Sequence, residues 1–147
     1  MPGRGPGVAE VLPPYLLPDL LAQSDFIVLA LPYTDETNEI IGESALAVVK
    51  RGAWLVNIAR GGLVDDRALE RALRDGRLGG AILDTLREEP LPPTSPLYDV
   101  PNLLVTPHTS WSSGRVLDRS IGLFCDNLER YRTGAPLLNR VDVARGY

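Results

Sequence analysis

Residues 55–66 read LVNIARGGLVDD. The stretch begins as a buried strand, with Leu55, Val56 and Ile58. It then places a permanently charged guanidinium, Arg60, where that strand should stop. Gly61 and Gly62 follow, and then Asp65 and Asp66, acidic residues that suit the positive end of a helix. Strand, turn and capped helix in so short a span read as one half of a βαβ unit.

The flanking sequence repeats the pattern. The strand containing the quoted stretch spans 53–59, and DDRALERALRDG (65–76) is its helix, with Leu69, Ala72 and Leu73 on one face and Gly76 as the stop. Upstream, FIVLALP (26–32) is a continuous apolar run ended by Pro32. Downstream, 79–84 and 102–106 read as two further strands. Pro18 opens a short helix at its first turn. Thr34 is expected to cap a helical region, with Asp35 and Glu36 on its dipole, that Gly52 stops. The spacing of Leu117, Ile121, Phe124, Leu128 and Tyr131 predicts a long helix over 113–132, ended by Gly134. Near-continuous apolar strands separated by helices imply a parallel sheet covered on both faces. The fold class is therefore α/β, a partial doubly wound, Rossmann-like sheet. Residues 1–17 read as a Gly/Pro-rich arm.

Bulk properties narrow the function. The 147 residues suffice for one domain with a core, and the formal net charge of −4 argues against nucleic acid or an anionic membrane. Arg130 with Arg132 is the only concentrated basic feature, too little to track phosphates. The single cysteine, Cys125, precludes an internal disulfide and fits a reducing compartment, so the cytoplasm is expected. No apolar run approaches the roughly 18 residues of a membrane span, and MPGRGPGVAE lacks the apolar region of a signal peptide.

In an open parallel sheet, ligands bind outside the carboxyl ends of the strands. The four strands end in turn at Pro32, at Arg60, at Asp84, and at Pro107 with His108. His108 is the only histidine, and histidine is the side chain whose ordinary titration lies near neutrality. It is either a plain loop residue or a proton donor. Arg60 pairs either with Asp65 or Asp66, or with a small anion that the two glycines admit. Asp84 could simply hold a turn. Of Glu88 and Glu89, Glu89 is the better partner for a histidine, because Pro90 fixes its backbone. GRGPGV (3–8) is not a dinucleotide phosphate loop. Val8 stands where the third glycine should be, and no strand precedes it.

The segments SDFIVLALPYTDETNEIIG, GAWLVNIARGGLVDDRALERALRDGRLGGAILDTLREEPLPPTSPLY and PNLLVTPHTSW together resemble the D-isomer-specific 2-hydroxyacid dehydrogenases, from about Leu20 onward. The resemblance implies an oxidoreductase using NAD or NADP on the CH–OH group of D-2-hydroxy acids, with a small 2-oxo acid as the substrate to be reduced. It implies that Arg60 grips the substrate carboxylate and that His108 is the general acid/base. It implies that Glu89 pairs with the histidine and that Asp84 bonds the nicotinamide carboxamide. It implies cofactor contacts from Pro32, Thr37, Ile58, Ala59 and Ser110, and also from Arg60 and His108 themselves. A homodimer, no metal, and no nucleic-acid or membrane partner complete the expectation.

On the same resemblance, residues 18–112 are the C-terminal part of a dinucleotide-binding domain. Residues 113–147 are a long helix and tail that pack on a substrate domain. The first strands and the phosphate loop of the family are not in this sequence, and two or three lost charge-assisted hydrogen bonds cost on the order of 5 kcal/mol. The chain is thus expected to be a truncated product. The alternatives are a non-catalytic nucleotide-binding or interaction module, or an inactive remnant. Thr85 and Leu86 replace the family's usual Val/Ile and aromatic after the aspartate. Trp111, in HTSWSS, is expected on the substrate side.

Overall fold

The first two strands are held by an alternation that the apolar runs conceal. In the computed structural model, which describes residues 7–144, β1 is Phe26–Leu29, β2 Ala53–Asn57, β3 Leu78–Leu83 and β4 Leu103–Val105. Ile27 and Leu29 of β1 and Ala53, Leu55 and Asn57 of β2 turn one way and are buried. The helices on that side are α1 (Leu17–Gln23), α2 (Glu43–Val48) and α3 (Asp66–Arg74). They supply Leu21, Leu46, Leu69 and Leu73 to the core.

The strands are parallel in the order β1-β2-β3-β4. Register pairs Leu29 with Asn57, Asn57 with Leu83, and Leu83 with Val105. The last residues of all four strands therefore form one row. Whatever follows that row is delivered to a single edge.

The expectation that both sheet faces are covered needs correcting. The second face carries Phe26, Val28, Trp54 and Leu104, all exposed, with Phe26 at 70%. A continuous apolar run says that both faces of a strand are apolar. It does not say which elements cover them. The fourth helix, α4 (Val116–Thr133), has the expected stripe, but Leu117, Ile121, Phe124, Leu128 and Tyr131 are 57–78% exposed. The stripe is amphipathic without being buried. Gly134 ends α4 in the left-handed conformation, at φ 71°.

Thr34 does not cap a helix. The amides of Thr37 and Asn38 both return to its carbonyl, forming tight turns. A bridge at Ile41 pairs with Val64, and α2 starts only at Glu43, capped by Gly42. The Thr37 hydroxyl explains the turn: it accepts from the Thr34 amide at 2.8 Å and donates to the Pro32 carbonyl at 2.8 Å. Such local side-chain bonds compete with helix formation. Asp65, by contrast, caps α3 as expected, accepting from the amides of Arg67 and Ala68. Residues 14–16 of the arm form a short 3-10 turn. Residues 1–6 of the arm and 145–147 of the tail lie outside the described residues. No helix among the described residues is long and apolar enough to cross a membrane.

Thr85, just past β3, is 1% exposed, and its hydroxyl has no hydrogen-bond partner among the described residues. An unpaired buried hydroxyl is destabilising, and valine has the same shape. Thr85→Val should raise stability by about 1 kcal/mol, read as a higher urea midpoint at unchanged slope.

Candidate active site

Arg60 is placed by a buried amide. Asn57, at the end of β2, is fully buried. Its side-chain nitrogen donates to the Arg60 carbonyl at 2.8 Å, and its oxygen accepts from the Ala59 amide at 3.0 Å. These two bonds fold the chain back on itself and turn Arg60 outward. The guanidinium donates to the Ala59 carbonyl at 2.6 Å. Among the described residues it makes no ion pair, and Asp65 is occupied as the α3 cap. Asn57→Leu would strand two polar groups of the turn, at a cost of about 2–4 kcal/mol. Chemical denaturation checks this.

The two glycines after Arg60 line the same cavity as the guanidinium, the space that the sequence alone suggests, but each also packs closely against protein. A side chain on Gly61 would meet the Leu86 carbonyl carbon at 1.9 Å and the Arg87 amide nitrogen at 2.2 Å. One on Gly62 would meet the Tyr33 ring at 2.6 Å. Gly61 lets the loop after β3 lie against the loop after β2.

That third-strand loop begins with Asp84, 4% exposed. Its Oδ1 accepts from the Thr106 hydroxyl at 2.5 Å and the Thr109 amide at 2.9 Å, and its Oδ2 from the Ser110 amide at 2.8 Å. Hydrogen bonds from the Ser110 and Thr106 side chains, with the two amides, hold its carboxyl well below the usual carboxylate range. The turn-holding role left open by the sequence is thus what the geometry shows for Asp84. Ser110, expected at the cofactor, is turned to Asp84.

His108 sits inside the segment that Asp84 clamps. Its φ is +52°, a left-handed conformation that costs a non-glycine residue about 1–2 kcal/mol. Its amide donates to the Thr106 carbonyl at 3.0 Å. Its Nδ1 lies 2.8 Å from Glu89 Oε2. The other carboxylate oxygen, Oε1, accepts from the Leu86 amide at 2.7 Å. The bond from His108, then that from Leu86, lowers the Glu89 carboxyl below its ordinary range, and the Arg60 charge adds to this. The pair commits Nδ1 and leaves Nε2 as the ring nitrogen that can meet a ligand. Glu88 is exposed and Glu89 is the paired acid, the choice that the sequence favours.

Two cavities adjoin here, sharing Leu86 as a wall. One, of about 770 Å³, is lined by Pro32, Ile58, Ala59 and Arg60. The other, of about 580 Å³, is lined by Asp84, Glu89, Tyr98 and His108. The arrangement offers a fixed cation, a proton donor backed by a carboxylate, and an apolar wall at Ile58. It can hold a small anion and deliver a proton. Thr37 lines neither cavity; its hydroxyl is engaged with Pro32 and Thr34. Among the described residues no cluster of three potential metal ligands occurs.

The depressed carboxyls set the acid behaviour. Glu89 and Asp84 favour the folded state above the ordinary carboxylate range, and that contribution fades as pH falls through their folded values. Asp66 is raised by burial and acts in the opposite sense. Stability should therefore fall as pH drops below about 5. Glu89→Gln should flatten the dependence of urea midpoint on pH.

Asn57, Thr106 and the Leu86 amide escape a reading of the sequence. Only Asn57 carried a signal, as a lone polar residue in an apolar strand.

Residues 8–110 match the family described as "D-isomer specific 2-hydroxyacid dehydrogenase, NAD binding domain". The chain is 43% identical over 122 residues to a glycerate dehydrogenase of Methylorubrum extorquens, covering 82% of this chain and 39% of that protein. It is 50% identical over 92 residues to a glyoxylate/hydroxypyruvate reductase B of Pectobacterium carotovorum, covering 63% and 29%. A solved structure of an NADPH-dependent glyoxylate/hydroxypyruvate reductase from Sinorhizobium meliloti, in complex with NADP and sulfate, superposes with a TM-score of 0.88 at 32% identity. It covers 99% of this chain and 47% of that one. The chain thus spans less than half the length of these relatives.

Proposed function

Because the chain belongs to the D-isomer-specific 2-hydroxyacid dehydrogenase family, we propose that it carries the reacting centre of an NAD(P)-dependent oxidoreductase that reduces small 2-oxo acids to D-2-hydroxy acids. The observation that carries this reading is the His108 Nδ1–Glu89 Oε2 contact of 2.8 Å beside the cavity that holds Arg60. Glu89, itself anchored by the Leu86 amide, takes up Nδ1 and so fixes which nitrogen faces outward. His108 Nε2 then gives its proton to the carbonyl oxygen of the substrate. Arg60 grips the substrate carboxylate in bidentate fashion and polarises the carbonyl.

The residues around the cavity fit the nicotinamide end of a dinucleotide. Pro32, Ile58 and Ala59 form an apolar wall at the strand ends, where such rings bind in this fold class. Asp84 is ionised, and the Thr106 and Ser110 side chains with the Thr109 and Ser110 amides take up the roughly four acceptor sites of its carboxylate. It meets a carboxamide by exchanging the Ser110 hydroxyl for it. Ser110 and Thr37 act through Asp84 and Pro32. When bound, NADH or NADPH supplies the hydride.

The substrates proposed are those in the names of the relatives: glyoxylate and hydroxypyruvate in reduction, glycerate in oxidation. A homodimer is part of the proposal; the bare sheet face and the α4 stripe are the apolar surface that an assembly covers. The same exposure favours a second reading, a non-catalytic interaction module. Loss of nicotinamide absorbance with glyoxylate or hydroxypyruvate tests the first. Oxidation of NADPH or NADH that requires the 2-oxo acid is expected. Cofactor binding without turnover at millimolar 2-oxo acid would favour the module.

A further inference from the structure

The histidine's backbone is held more tightly than its loop position requires. The Asp84 carboxylate grips the chain on both sides of it, at Thr106 before and at Thr109 and Ser110 after. The His108 carbonyl itself accepts from the indole N–H of Trp111 at 2.8 Å. Trp111 is 64% exposed, so burial does not account for where its ring lies. A left-handed non-glycine residue persists only where its surroundings over-determine it.

We infer that Trp111 is a positioning residue for His108: its indole N–H locks the histidine's backbone in the left-handed conformation that brings Nδ1 onto Glu89. The inference rests on the reading of His108 as the proton donor, and it gives Trp111 a role through the backbone, not through substrate contact. Asp84 holds the Thr106 hydroxyl and the amides of Thr109 and Ser110, and the Thr109 amide belongs to the same peptide as the His108 carbonyl. Trp111 holds that peptide by its other end, the carbonyl. Without it, the His108–Thr109 peptide keeps one of its two holds, and the contact of the ring with Glu89 loosens.

The chain suits a direct test by nitrogen-15 spectroscopy, because it has one histidine and two tryptophans. The wild-type imidazole should show a hydrogen-bonded Nδ1–H signal slowed in exchange with water. Glu89→Gln should remove that signal. Trp111→Phe, which keeps an aromatic ring and loses the donor, should broaden or remove it too, while the backbone amide spectrum outside 106–111 stays unchanged. A Trp111→Phe signal identical to wild type, with Glu89→Gln abolishing it, would overturn the inference and leave the site reading standing. No signal in the wild type would overturn both.

If Trp111→Phe does not fold, the wild-type indoles decide. Trp111 is more exposed than Trp54, 64% against 38%. Exposure alone makes its N–H exchange faster. The bond to His108 makes it slower, by about fivefold or more. Exchange as fast as that of Trp54, or faster, overturns the inference.

Discussion

Gly61→Ala lowers the stability of the domain by about 3 kcal/mol, at the upper end of what overpacking costs. The added carbon would stand 1.9 Å from the Leu86 carbonyl carbon and 2.2 Å from both the Leu86 oxygen and the Arg87 nitrogen. All three are main-chain atoms, so no rotamer change relieves the clash. The loop after β3 has to move. That loop carries the Leu86 amide that anchors Glu89, so the same substitution also pulls the carboxylate away from His108. A domain of this kind is stable by about 5–15 kcal/mol in total, which makes the loss a large fraction. Urea denaturation measures it, and a change below about 0.5 kcal/mol would mean that the two loops do not meet as described.

His108→Gln reduces turnover of the 2-oxo acid by about 10²- to 10⁴-fold, the range of general acid–base catalysis. Glutamine keeps a polar side chain of similar reach but supplies no proton of suitable acidity. The Glu89 carboxylate then loses its main partner. Cofactor binding should change little, because Pro32, Ile58 and Ala59 line the other cavity. Equal turnover in the two proteins would remove His108 from the chemistry. Equal loss of cofactor binding and turnover would make its role structural.

The row of strand ends was legible because each apolar run stops at a residue that cannot continue it: Pro32, Arg60, Asp84, Pro107. The α3 cap at Asp65 and the end of α4 at Gly134 were legible for the same local reason. What failed depends on contacts far apart in the chain. The glycines do border the cavity at Arg60, but that Leu86 and Tyr33 pack against them is not written locally. That Asp84 could hold a turn was open, but which turn depends on a segment more than 20 residues away that donates to both its oxygens. Coverage of the second sheet face is likewise a tertiary property that alternation within a strand does not encode. The Thr34–Gly42 region misled because its acidic residues and Thr34 suit a helix start, while the Thr37 hydroxyl ties the chain into turns. The Glu89–His108 pairing was anticipated through the family resemblance together with Pro90. Spacing alone does not bring together residues 19 positions apart.

Titration of the purified chain with NADH and NADPH, followed by nicotinamide fluorescence, tests the central claim most directly. The account predicts saturable binding of at least one of them at or below millimolar concentration, weakened when Ile58→Asp puts a charge on the apolar wall. Absence of binding by either cofactor up to millimolar concentration would contradict it, and would leave this chain with the reacting residues of the family but not its chemistry.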